Sequence, residues 1–122
     1  MRGKVRYFSM VGGEFSEYWP DDVTNFCIGA DATIGPENGI GGEIFSFQVC
    51  SPKWFSENES HSPVFARHII FMNEYDEPGF MKIVEDLVAN THGETWHEVA
   101  LKLSRYMFWE FEDYQEYVPE SG

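Results

Sequence analysis

At 122 residues with 43% hydrophobic and 17% aromatic content, the chain is long enough to bury about two thirds of its unfolded surface in a core, without disulfides or metal, which argues against a disordered chain. A balance of 21 Asp plus Glu against 8 Lys plus Arg, for a net charge of -13, repels phosphate backbones and argues against direct nucleic-acid binding. The same field favours encounter with a basic protein.

No apolar run could serve as a signal-peptide core or a spanning helix, so a cytoplasmic protein with no membrane contact is expected. Residues 5–10 mix β-branched and aromatic side chains and predict a first strand, ended by Gly12 and Gly13. Residues 14–22, EFSEYWPDD, read as an irregular connection in which Tyr18 and Trp19 either pack beneath a loop or stand out as anchors. From 25 to 34 the even positions Phe26, Ile28, Ala30, Ala32 and Ile34 are apolar, a two-residue period that predicts a half-buried strand. Phe45, Phe47 and Val49 continue the alternation after the loop 35–42, so the pair predicts an antiparallel hairpin. Cys27 and Cys50 fall on these neighbouring strands, where a bridge is geometrically possible and buried free thiols are the default.

Ser51 and Pro52 fit the cap and first position of a short helical turn, and 56–63 should be an exposed polar loop. The run Ile69-Ile70-Phe71-Met72 within 64–75 predicts a central strand buried on both faces. Asp76 opens a helix with Pro78 in its first turn, the apolar stripe Phe80, Ile83, Val84, Leu87 and Val88, and Gly93 as its close. Thr95 and Glu98 match a capping box, followed by the stripe Trp96, Val99, Ala100 and Leu103 to about Tyr106. The stretch 104–117 predicts a last strand, with Trp109, Phe111 and Asp113 on one face and Phe108, Glu110, Glu112 and Tyr114 on the other. The expected fold is α+β: one domain over 1–122, a mostly antiparallel sheet with two consecutive helices packed on one face.

Catalytic constellations are weak. His92, His97 and Glu98 lack the spacing of a zinc protease, His68 flanks a strand and His61 lies in a loop. Gly35, Gly39, Gly41 and Gly42 lack the Gly-Lys-Ser/Thr context of a phosphate loop. Glu110 and Glu112 on one strand face, with a histidine, would permit an acid-base or metal-assisted hydrolase, but the same spacing describes any solvated acidic strand. No cofactor or metal is expected.

Binding a basic protein needs fewer assumptions, because Tyr and Trp supply rigid anchors and carboxylates pair with Arg or Lys. The candidate contacts are Tyr18, Trp19, Asp21 and Asp22 at one end of the chain, and Glu110, Glu112, Asp113 and Glu116 at the other. No Lys or Arg follows Arg105. The segments FSFQVCSPKW, ARHII, Tyr75-Asp76 and GETWHEVALKLSRYMFWEFEDYQ together resemble the immunity protein 8 family of bacterial polymorphic toxin and contact-dependent inhibition systems, over about residues 34–115. That resemblance implies a small cytoplasmic α+β protein without catalytic activity, which binds and neutralises a cognate toxin domain. The partner would be that toxin, and a nuclease toxin with a basic substrate channel would complement the charge.

Overall fold

In the computed structural model, residues 1–59 and 62–112 are described, and among them five strands make one sheet accompanied by three α-helices. The order is β1 (Gly3–Met10), a 3-10 turn (Phe15–Glu17), β2 (Cys27–Pro36), β3 (Glu43–Cys50), α1 (Pro52–Asn58), β4 (Ile69–Phe71), α2 (Glu77–Ala89), α3 (Trp96–Leu103) and β5 (Phe108–Trp109). Strands β1, β2 and β3 form an antiparallel meander, and the β2–β3 register runs from Cys27 opposite Cys50 to Ile34 opposite Glu43. The predicted alternation holds: Ile28, Ala30, Ala32 and Ile34 lie buried on the same face as Phe45, Phe47 and Val49. Phe80, Val84 and Val88 of α2 and Val99, Ala100 and Leu103 of α3 close over that face. The α+β class and the two helices on one face are therefore as the sequence predicts.

Helix starts follow the local chemistry. Asp76 accepts from the Gly79 amide at 3.1 Å, and Thr95 Oγ1 accepts from the Glu98 amide at 3.1 Å. The returning Glu98 carboxylate takes the Glu94 amide at 3.2 Å, so the box closes one residue earlier than its usual form. Ser51 is fully buried, and its Oγ accepts from both the Trp54 amide, at 3.2 Å, and the Phe26 amide, at 3.2 Å. It thus caps α1 and ends the β2–β3 ladder with one atom. Ser51→Ala would orphan two amides, and urea unfolding is expected to show a loss of about 2 kcal/mol.

The glycine loop is structural. A register shift between Val5 and Tyr7 puts Arg6 on a bulge, from which its guanidinium donates to the carbonyls of Pro36 at 2.5 Å, Gly39 at 2.8 Å and Gly41 at 3.0 Å. Gly41 has a φ of 76°, and a Cβ on Gly35 would collide with the Gly41 carbonyl oxygen.

Four expectations are corrected. The strand expected to be central over 64–75 is only Ile69–Phe71, at the sheet edge and parallel to β3, with Phe71 44% exposed. His68, in the left-handed region at φ 62°, turns the chain just before it pairs, which limits the strand to three residues. Helix α2 ends at Ala89 with Asn90 as its cap, and Gly93 instead donates to the Met1 carbonyl at 3.0 Å. Ile83 stands 53% exposed, because the buried stripe follows Phe80, Val84 and Val88 along one four-residue row. The last strand comprises Phe108 and Trp109; Glu110 to Glu112 form a turn closed by the Glu112 amide on the Trp109 carbonyl at 2.9 Å. Beyond it, Asp113, Tyr114 and Glu116 lie outside the described residues.

Strand β3 has its outer edge divided between two partners. Strand β5 pairs with Phe45 and Ser46, and β4 pairs with Gln48 to Cys50.

Candidate partner interface

The loop between the 3-10 turn and β2 is built on Tyr75. Its amide donates to the Val23 carbonyl at 2.9 Å, and its ring receives Tyr18 at 5.2 Å, Phe26 at 5.3 Å and Trp19 at 5.7 Å, all near-perpendicular. Tyr18 is thereby half-buried, whereas Trp19 is 68% exposed with one edge braced against Tyr75. A large apolar ring held rigidly at the surface loses little entropy on binding, which is the physical profile of an interface anchor. Tyr18, Trp19, Pro20, Asp21, Asp22 and Trp54 line a groove beside it.

Carboxylates surround this groove. Asp21 and Asp22 are exposed, Glu57 accepts from the Asn25 amide side chain at 2.9 Å, and Glu77 lies near enough to act on Tyr75. The Thr24 hydroxyl and then its amide hold the Asp22 carboxyl below the usual carboxylate range. Lys53 approaches Asp22 at 3.6 Å, between two half-exposed side chains, and contributes little. Elsewhere Arg2 pairs with Glu37, Arg67 with Glu112, Lys82 with Asp86 and Lys102 with Glu98, while Arg6 is spent on loop carbonyls. These cations are committed away from the Trp19 end.

The other predicted cluster is placed differently. Glu110 Oε1 accepts from the Ile44 amide at 2.9 Å and its own amide donates to the Ile44 carbonyl at 3.1 Å, extending the β3–β5 ladder by a side chain. Glu112 accepts from Arg67 at 2.8 Å and is mostly buried, so a carboxylate without a basic neighbour in sequence finds one 45 residues away. The two carboxylates are not side by side on a strand, and the structure does not bring them together with Tyr18, Trp19, Asp21 and Asp22 in any contact described.

Sequence reasoning missed Glu43. Its Oε1 accepts from the Trp96 indole at 2.8 Å and its Oε2 from the Trp109 indole at 2.6 Å, so one carboxylate joins β3, α3 and β5. Phe45 stacks on Trp109 at 6.2 Å with an interplanar angle of 7° and meets Trp96 edge-on at 6.3 Å. The signal was present in the two tryptophans, since a buried indole N–H demands an acceptor, but nothing in the sequence pointed to a residue more than fifty positions earlier.

The model of the family described as immunity protein 8 matches residues 4–114 of the chain. The chain belongs to the immunity protein 8 family. Neither any curated protein nor any solved structure matches it significantly. Membership implies an immunity protein whose partner is a cognate toxin. The matched span of this immunity protein holds the whole described sheet from Lys4 onward, the Glu43–Trp96–Trp109 junction and the Trp19 end. Among its described residues no helix is long and apolar enough to cross a membrane, and no three His, Cys, Asp or Glu side chains are grouped to hold a metal ion. His68 hydrogen-bonds the Ser104 carbonyl at 3.2 Å, His97 edges Trp109 at 5.5 Å, and His92 bridges to Arg2. His61 lies outside the described residues.

The immunity protein also carries a pH signature. The Tyr75 hydroxyl is buried without a hydrogen-bond partner among the described residues, and burial, then the charges of Glu77 and Tyr18, push its pKa up to about 12. An unfolded tyrosine ionises near pH 10.0. Stability from neutral Tyr75 is therefore complete below that pH and is lost as pH rises from it through about 12, where the folded group also ionises. Burial, then Cys27 and Asp21, also raise the pKa of Tyr18, so alkaline titration of tyrosinate absorbance should show late ionisation from both rings, with the later step removed in Tyr75→Phe. That variant is expected to be at least as stable at neutral pH, because it removes an unpaired buried hydroxyl.

Proposed function

We propose that this protein neutralises its cognate toxin by docking the Trp19 end against a basic surface and covering the toxin's active site or substrate-binding channel. The observation that carries the reading is the exposed, braced Trp19 among carboxylates whose one nearby cation, Lys53 at 3.6 Å from Asp22, is half-exposed and weakly paired, while Arg2 and Arg67 are paired with other carboxylates. Trp19 supplies the desolvated anchor, Tyr75 holds it in place, and Asp21 and Asp22 meet Arg or Lys through charge-assisted hydrogen bonds. A nuclease is the toxin class whose channel such a surface best fits, since that channel already binds a polyanion. Within this reading the protein acts in the cytoplasm, as one domain, in a contact-dependent inhibition setting, without binding nucleic acid or membrane and without catalysis of its own.

Glu110, Glu112, Asp113 and Glu116 enter as a second, flanking contact. For Glu110 and Glu112 the internal bonds to Ile44 and Arg67 must be shared or broken on docking, which favours the Trp19 end as the principal one. The same internal bonds leave the hydrolase reading with two carboxylates already occupied.

The test is co-purification with its cognate toxin, followed by binding at increasing salt. Affinity should fall as ionic strength rises from about 0.05 to 0.5 M, because the exposed pairs that steer association are screened. Affinity independent of salt, or a toxin that remains active in the complex, would remove the basis for this mode of inhibition.

A further inference from the structure

Cys27 and Cys50 are free thiols lying directly opposite each other on β2 and β3. The next pair along is joined through the Ser51 amide and the Phe26 carbonyl at 3.0 Å, while the Cys50 carbonyl turns outward to the Met72 amide at 3.1 Å. By the alternation of an antiparallel ladder, Cys27 and Cys50 therefore form a non-hydrogen-bonded pair. In such a pair the Cα atoms stand about 4.5 Å apart, inside the range a disulfide spans, and both side chains leave the same face. The Cys50 thiol is placed to donate to Cys27. The pairing of the strands on either side pins their register, so bond formation needs side-chain rotation and no strand movement.

The two cysteines differ in exposure. Cys50 is wholly buried, level with Phe71, whose ring meets Phe55 of α1 edge-on at 5.4 Å. Cys27 is half-exposed. The hydrogen bond from Cys50 lowers the Cys27 pKa, and the same bond, with burial, raises that of Cys50. An attacking thiol should be accessible and acidic, and a resolving thiol should be adjacent and shielded; the pair meets both conditions.

We propose that Cys27 and Cys50 are a reversible dithiol–disulfide couple, closed by low-molecular-weight disulfides of the glutathione type with Cys27 as the attacking sulfur. The Cys27 thiolate attacks one sulfur of the small disulfide, forming a mixed disulfide and releasing one thiolate. Cys50 then gives up its proton and displaces the second thiolate from Cys27. Two protein thiols and one small disulfide thus become one protein disulfide and two small thiols. The couple lies one residue from Phe26, in the aromatic cluster that carries Trp19, but it stands on strand geometry and does not depend on the toxin reading.

The folded chain is incubated with glutathione disulfide and examined by thiol titration and intact mass. Wild type should lose both thiols together and two hydrogens in mass, with no retained glutathione, and dithiothreitol should restore both thiols. Cys50→Ser should stop at one glutathione on Cys27, and Cys27→Ser should remain unmodified while folded. Wild type that keeps stable glutathione adducts, or that keeps both thiols where Cys50→Ser is modified, overturns the proposal. The wild-type result decides by itself if either serine variant fails to fold.

Discussion

Trp19→Ala is expected to weaken toxin binding by about 2–4 kcal/mol, on the order of 30- to 1,000-fold in Kd, while leaving thermal unfolding unchanged. The ring is 68% exposed and contributes little to the core, yet Tyr75 holds it in one orientation, so its truncation removes an anchor and not a buried packing element. Charge reversal at Asp21 and Asp22 should act on a different quantity. It is expected to slow association roughly tenfold at low salt and to have little effect at high salt, as loss of steering does. Stopped-flow binding at two ionic strengths separates the two effects. Unchanged toxin neutralisation by the triple variant would move the interface away from this end, and a loss confined to Glu110→Lys would move it to the end of β5.

The largest stability effect should come from Glu43. Glu43→Ala leaves the Trp96 and Trp109 indole N–H groups without their acceptor and opens space between β3, α3 and β5. Hydrogen bonds to a charged acceptor are worth about 1.5–3 kcal/mol each, so a loss of about 3–5 kcal/mol is expected, a large share of the stability of a domain this size. Glu43→Gln should cost less, about 1–3 kcal/mol, because its amide oxygen still accepts one indole while its NH2 faces the other. Urea unfolding followed by tryptophan fluorescence reads both variants, since the affected indoles are the reporters. An alanine variant as stable as wild type would show that the junction is held by the Phe45 stack alone.

The strands and helices were legible wherever one residue's neighbours decide its state. The even-numbered apolar positions of β2, the caps at Ser51, Asp76 and Thr95, and the α3 stripe from Val99 to Leu103 are local signals, and each appears where its chemistry requires. The failures share a cause. Ile69 to Met72 reads as a buried strand by composition, but its pairing is confined to the Gln48–Cys50 end of the β3 edge, whose Phe45 and Ser46 positions belong to β5. Likewise Glu112 appears unpaired along the chain, and its partner Arg67 is supplied by the turn before β4. For the candidate interface, residue types at 18–22 were readable, whereas the separation of exposed Trp19 from half-buried Tyr18 rests on Tyr75, more than fifty positions later.

The divided outer edge of β3 also has a bearing on synthesis. Trp109 reaches Glu43 at a sequence separation of 66, so the β1–β2–β3 meander leaves the ribosome long before its last pairing partner exists. During that interval Phe45 and Phe47 belong to a strand with an unfilled edge, a state prone to association with other nascent chains. The Trp109 indole can reach Glu43 and fasten that edge only after β5 has been made. The maturation of the fold is thereby tied to the emergence of its final described strand, and the vulnerable interval is as long as the time needed to translate the segment between them.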